Sequence, residues 1–161
     1  MDLDKFRKNA EEAKKGNQKF LQNLKKKKPK NLDALFHKTH EEVFQHTDCL
    51  ECANCCKTTS PIFKNRDIQR IAKHFRMKTN DFIDKYLKLD DENDYVLNSS
   101  PCPFLGQDNY CHIYDVRPDA CAEFPHTDRR KMNQILNLTF ENTMVCPAVL
   151  EIVEKMKSKI K

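Results

Sequence analysis

Eight cysteines fall between positions 49 and 146 of a 161-residue chain, and none lies in the first 48 residues. They are Cys49, Cys52, Cys55, Cys56, Cys102, Cys111, Cys121 and Cys146. So many thiols in one stretch must be crosslinked, bound to metal, or buried. The N-terminus is charged from its second residue, with no apolar region of the secretory kind. No run approaches the roughly 20 apolar residues that cross a bilayer. These features lead us to expect a cytoplasmic protein with no transmembrane segment. In that compartment thiols stay reduced, and clustered cysteines act as metal ligands.

The rest of the composition sharpens this expectation. Hydrophobic residues, cysteine included, make up 39% of the chain, and charged residues 33%. An apolar share this thin leaves room for metal to contribute to folding. Only Gly16 and Gly106 are glycines, which excludes a glycine-rich phosphate loop or dinucleotide fingerprint. The net charge of +5 is uneven, because residues 1–30 carry eleven Lys/Arg against four Asp/Glu. The basic character therefore belongs to the leader.

Leu3, Phe6, Ala10, Ala13, Phe20 and Leu24 alternate spacings of three and four, with Asn17 at the one missing step. This is the apolar seam of a helix. Gly16-Asn17 weakens its middle and Pro29 ends it. The expected domains are a basic amphipathic helical arm at 1–30 and a cysteine-cluster metal-binding domain at 31–161. The arm suits packing on the body, a protein partner or self-association better than nucleic acid, since few arginines or aromatics accompany its lysines.

A second helix is expected over 31–47, with Leu32, Leu35, Phe36, Thr39, Val43 and Phe44 on one side. His46, close to Cys49, is a spare ligand. Asn65 and Thr79 are candidate caps for two short helices bearing Ile68, Ile71 and Phe75, then Phe82, Ile83, Tyr86 and Leu87. The acidic run Asp90–Asp94 lacks the ligand alternation of a calcium loop. Residues 95–97 and 110–114 read as the strands of a small hairpin, with a turn at 106–109. Thr127 or Asp128 opens a helix bearing Met132, Ile135 and Leu136, and Pro147 suits the first position of a last one. The fold class is thus mainly α with a small β-hairpin, as a compact, metal-stabilised single domain.

Cys49, Cys52 and Cys55 are separated by two-residue gaps, which let a turning backbone bring successive thiolates around one metal centre. Adjacent Cys55 and Cys56 point apart in regular backbone, so they suit different corners of a cluster or different metals. Cys102, Cys111, Cys121 and Cys146 converge only through the fold. The eight thiolates fit two four-cysteine zinc sites, or an iron–sulfur cluster with cysteines to spare. Spacing leaves zinc and iron–sulfur both open. Arg117 is a candidate to offset thiolate charge from outside the ligand shell, and Asp67 to pair with it or favour its own helix N-terminus. No catalytic residue is assigned.

Taken together, Cys49-x₂-Cys52-x₂-Cys55-Cys56, Asp67-Ile68, Pro101-Cys102-Pro103-Phe104-Leu105, Cys111-His112-Ile113-Tyr114, Arg117-Pro118-x₂-Cys121, Phe124-Pro125 and Cys146-Pro147 resemble the YkgJ-like cysteine-cluster family. The likeness spans about residues 48–150. It implies a zinc- or iron-chelating domain. A larger relative, flagellin lysine N-methylase, extends the implication to an iron–sulfur-dependent enzyme in electron transfer or protein lysine methylation. The family often has glycine or arginine around the double cysteine, where Ala53, Asn54 and Lys57 stand here. The leading expectation is a metal-binding protein whose metal mainly stabilises its fold.

Overall fold

A computed structural model describes residues 2–160. The chain is mainly helical, with one two-stranded antiparallel hairpin. Its first helix, α1 (Leu3–Lys27), starts where Asp2 accepts the Lys5 N–H at 3.0 Å. Lysines fill its last turn, where positive charge complements the helix dipole. Lys28, left-handed at φ 45°, closes it by donating its N–H to the Leu24 carbonyl. The seam is real but drifts: Phe6, Ala10, Asn17, Leu21 and Leu24 are the buried residues, and Phe20 is only half-buried.

Contacts divide the chain into two units. The first comprises Met1–Cys52 with Pro125–Lys161, the second Ala53–Phe124. In the first unit α1 packs on α8 (Leu136–Thr143) and α9 (Pro147–Lys159), and α9 also packs on α2 (Leu32–Phe44). Its core holds Leu21, Leu24, Phe36, Val43, Met132, Leu136, Val149, Ile152, Val153 and Met156. Each such side chain contributes on the order of 1.5–3 kcal/mol on burial. Pro147 occupies the first turn of α9, as its fixed φ favours. Residues 127–131 do not open a helix: Asp33 instead accepts the N–H groups of Lys131 and Met132, and a 3₁₀ turn (Met132–Gln134) precedes α8.

The second unit has its own core, built from Phe63, Ile68, Ile71, Phe82, Leu87, Leu97, Phe104 and Ile113. Phe75, Phe82, Tyr86 and Phe104 stack within it, with Phe75 and Phe104 centroids 5.6 Å apart. Helices α5 (Asn65–His74) and α6 (Thr79–Tyr86) supply two of its sides. Their N-caps are Lys64 and Lys78, one residue before the expected caps Asn65 and Thr79, and neither lysine caps through its side chain. At α5 the carboxylate of Asp67 reaches back to the Lys64 N–H at 2.9 Å.

The hairpin lies elsewhere than expected. Strand β1 (Leu87–Leu89) pairs with β2 (Tyr95–Leu97), Leu87 opposite Leu97. The acidic run is its turn, where Asp90 Oδ1 accepts N–H groups from Glu92 and Asp94 at 2.9 Å each. Residues 110–114 contribute only an isolated bridge, Leu105 to Cys111, before a 3₁₀ turn at Tyr114–Val116. Tight turns on both sides of Cys111 leave too little extended backbone for a strand. Among the described residues, no helix is long and apolar enough to cross a membrane.

Candidate metal centre

The CxxCxxCC segment is two very short helices, not one loop. Cys49–Cys52 forms α3 and Asn54–Thr58 forms α4, separated by Ala53 in the left-handed region at φ 46°. Cys49 and Cys52 belong to the first unit, Cys55 and Cys56 to the second. None of the eight cysteines is joined in a disulfide.

Four sulfurs of the second unit act on one another. The Cys102 N–H donates to the Cys56 carbonyl at 2.9 Å, tying the Pro101–Leu105 segment to α4. The Leu105–Cys111 bridge then brings Cys111 alongside. Cys121 rides on the single turn of α7 (Asp119–Glu123). Burial pushes the Cys121 thiol up to about 12, and negative charge at Cys56, Cys102 and Cys111 adds to the rise, with Arg117 opposing it. Burial also raises Cys102 and Cys111, each feeling Cys56. Cys56 is raised first by its hydrogen bond to Cys55 and then by burial.

Backbone amides point the other way. The N–H groups of Phe104 and Leu105 reach the Cys102 sulfur, and that of Ile113 reaches Cys111. Hydrogen bonds to the charged form favour a thiolate. Backbone donors thus favour the thiolate at these sulfurs, while burial and mutual repulsion outweigh them and keep the thiols neutral. A cation would offset the opposing charge, and an all-sulfur donor set suits zinc or iron.

The first unit repeats the pattern with three sulfurs. Cys146 stands at the N-cap of α9, where it makes no side-chain capping hydrogen bond but the nearby Val149 and Ala148 N–H groups favour its thiolate. Burial nonetheless pushes its thiol up to about 11, with Cys49 and Cys52 adding to the rise. Among the described residues, no three His, Cys, Asp or Glu side chains are gathered closely enough to hold a metal ion.

The flanking candidates take definite places. Arg117 stacks on the Tyr114 ring at 3.9 Å and donates to the Tyr114 carbonyl at 2.6 Å. Its charge favours the thiolate forms of Cys111 and Cys121. Asp67 is fully buried, and its ion pair is with Arg70 at 2.8 Å. Arg70 also donates to the Val116 and Arg117 carbonyls, at 3.2 and 2.7 Å. The Asp119 N–H meets Asp67 Oδ1 at 3.2 Å, and Asp119 pairs with Arg66. This lattice pins the loop before Cys121. Arg70 was the residue that sequence reasoning missed; its only signal is the three-residue step from Asp67 along a helix.

The histidines serve other groups. His46 pairs with Glu151 at 3.2 Å, His37 with the Arg129 carbonyl at 2.8 Å, and His40 with Thr127 at 2.8 Å.

No curated protein and no solved structure matches the chain. A family model matches residues 48–146, and its description is "putative zinc- or iron-chelating domain". That match starts just before Cys49, ends on Cys146 and covers more than half of the sequence, so the chain belongs to the CxxCxxCC family.

Proposed function

We propose that this is a thiolate metal-binding domain whose metal, zinc or an iron–sulfur cluster, mainly stabilises the fold. The observation that carries the proposal is the main-chain framework that ties Cys102 to Cys56 and Cys111 to Leu105, with backbone N–H groups that favour the thiolates of Cys102 and Cys111. Such donors gain little from a neutral thiol, whose sulfur is a weak acceptor. They have a use for a ligating thiolate, whose remaining lone pairs they satisfy.

The ligands are drawn from the eight cysteines. Arg117 offsets their negative charge, and Asp67 acts through Arg70 to hold the backbone that carries Cys121. The two apolar cores are small, and binding to a site that exists only in the folded chain adds directly to stability. For a structural zinc the apparent contribution is about 10–16 kcal/mol at neutral pH. Thiolate ligands suit a reducing compartment, the cytoplasm being the simplest.

The test is metal content and thermal melting of protein prepared without air, before and after chelation. Stoichiometric bound metal whose removal abolishes the cooperative transition is the expected result. Zinc leaves the protein colourless, and an iron–sulfur cluster makes it brown. A metal-free preparation that melts cooperatively and ignores chelator overturns the proposal.

A further inference from the structure

We infer that the CxxCxxCC motif is divided between two metal centres. Cys56 joins Cys102, Cys111 and Cys121 in one four-sulfur centre, and Cys49 and Cys52 join Cys146 in another. The inference deepens the metal-binding proposal above and rests on it.

The first observation is the fold itself. The boundary between the two units falls inside the motif, after Cys52. Left-handed Ala53 interrupts the helix there, so Cys52 and Cys55 are not successive positions of one regular turn. The second observation is the main-chain framework of the later cysteines. Cys102 is bonded directly to the Cys56 carbonyl, and Cys111 is bridged to Leu105, whose own N–H donates to the Cys102 carbonyl at 3.1 Å. Cys121 joins the same unit through Asp67, Arg70 and the Asp119 N–H. Cys146 instead sits with the first unit's core, on the helix that also packs against α2.

Cys49 is tied to that same helix, because His46, three residues earlier, meets Glu151 of α9 at 3.2 Å. Four thiolates complete the tetrahedral shell of a mononuclear zinc and equally serve one cluster. Each ligating thiol releases its proton to solvent as the cation arrives.

The partition is tested on full-length, zinc-loaded protein. Thiols are pulsed with an alkylating reagent as chelator is raised, and the modified cysteines are identified by mass spectrometry. Cys56, Cys102, Cys111 and Cys121 are expected to lose protection as one set, and Cys49, Cys52 and Cys146 as another. In Cys49→Ser/Cys52→Ser, protection of the four-sulfur set and about half of the zinc should remain, as two separate one-zinc centres require. In Cys102→Ser/Cys111→Ser, the other set should remain protected. Should either variant fail to fold, the pulse on the unaltered chain decides. Cys49 and Cys52 losing protection in step with Cys56 overturns the partition while leaving metal binding intact. An unaltered chain that takes up no zinc, and no iron on reconstitution, overturns both.

Discussion

Asp67 and Arg70 form a pair in which the carboxylate is fully buried and the guanidinium continues outward to the carbonyls of Val116 and Arg117. The pair links α5 to the loop that delivers Cys121. Its carboxylate is opposed by burial. The Lys64 N–H, the Arg70 guanidinium and the Asp119 N–H outweigh that burial and hold it below the ordinary carboxylate range.

Asp67→Asn is therefore expected to destabilise the protein by about 3 kcal/mol, since it leaves Arg70 without its buried partner. The pH dependence has a definite sign. Because the folded-state pKa is depressed, the stabilisation is fully present above the unfolded value of about 3.9. It is lost as pH falls through the lower, folded value. Denaturant melts across the acid range should show a steep acid limb in the unaltered chain and a shallower one in the variant. Equal limbs would rule out this role for Asp67.

The cysteines carry the opposite sign. With folded-state pKa values raised to about 12 at Cys121 and about 11 at Cys146, the metal-free fold prefers neutral thiols. Without metal, a rise in pH through the unfolded thiol pKa of about 8.5 therefore penalises the folded arrangement further. Metal uptake behaves conversely: it displaces protons, so affinity should strengthen with pH. Calorimetry in buffers of different ionisation enthalpy reads the protons released. Metal binding without proton release near neutral pH would contradict thiolate ligation.

The parts of this structure that were legible beforehand are those where a period repeats. Helices α1, α2 and α9 run for 25, 13 and 13 residues, long enough for the apolar spacing to declare itself. Helices α3, α4 and α7 have four or five residues and offer no period. The hairpin was misplaced because Leu87 continues the apolar spacing of α6 as well as it begins β1. At the site, cysteine identity was plain, but grouping was not, because it depends on which unit each segment joins. The amide donors to sulfur were equally hidden, being set by local turns after each cysteine.

One such turn depends on Gly106. A Cβ there would meet Asp108 Oδ1 at 2.6 Å, His112 Nε2 at 2.9 Å and the Tyr110 carbonyl oxygen at 3.3 Å. Two of these are side-chain ends that can move, but the carbonyl belongs to the turn, which closes when it accepts the Gly106 N–H at 2.8 Å. Gly106→Ala should cost about 1–2 kcal/mol by local overpacking. Because the turn sets Cys111, the variant should also release metal at a lower chelator concentration. Reduced melting temperature with unchanged metal retention would separate the turn from the centre.

Asn17 stands where the seam of α1 calls for an apolar residue, and it is fully buried. Neither polar atom of its amide has a hydrogen-bond partner among the described residues. An amide buried this way carries its desolvation cost uncompensated, about 1–3 kcal/mol. Its neighbours along the seam, Ala10, Leu21 and Leu24, are apolar. Asn17→Leu keeps a similar side-chain length, restores the seam and raises helix propensity. It should stabilise the metal-loaded protein by an amount within that range, seen as a higher denaturant midpoint at unchanged slope. Because α1 lies in the first unit, alkylation protection at Cys102 and Cys111 should not change. A lower midpoint would mean that Asn17 serves a polar partner its surroundings provide in solution, and the seam would then owe its register to that contact.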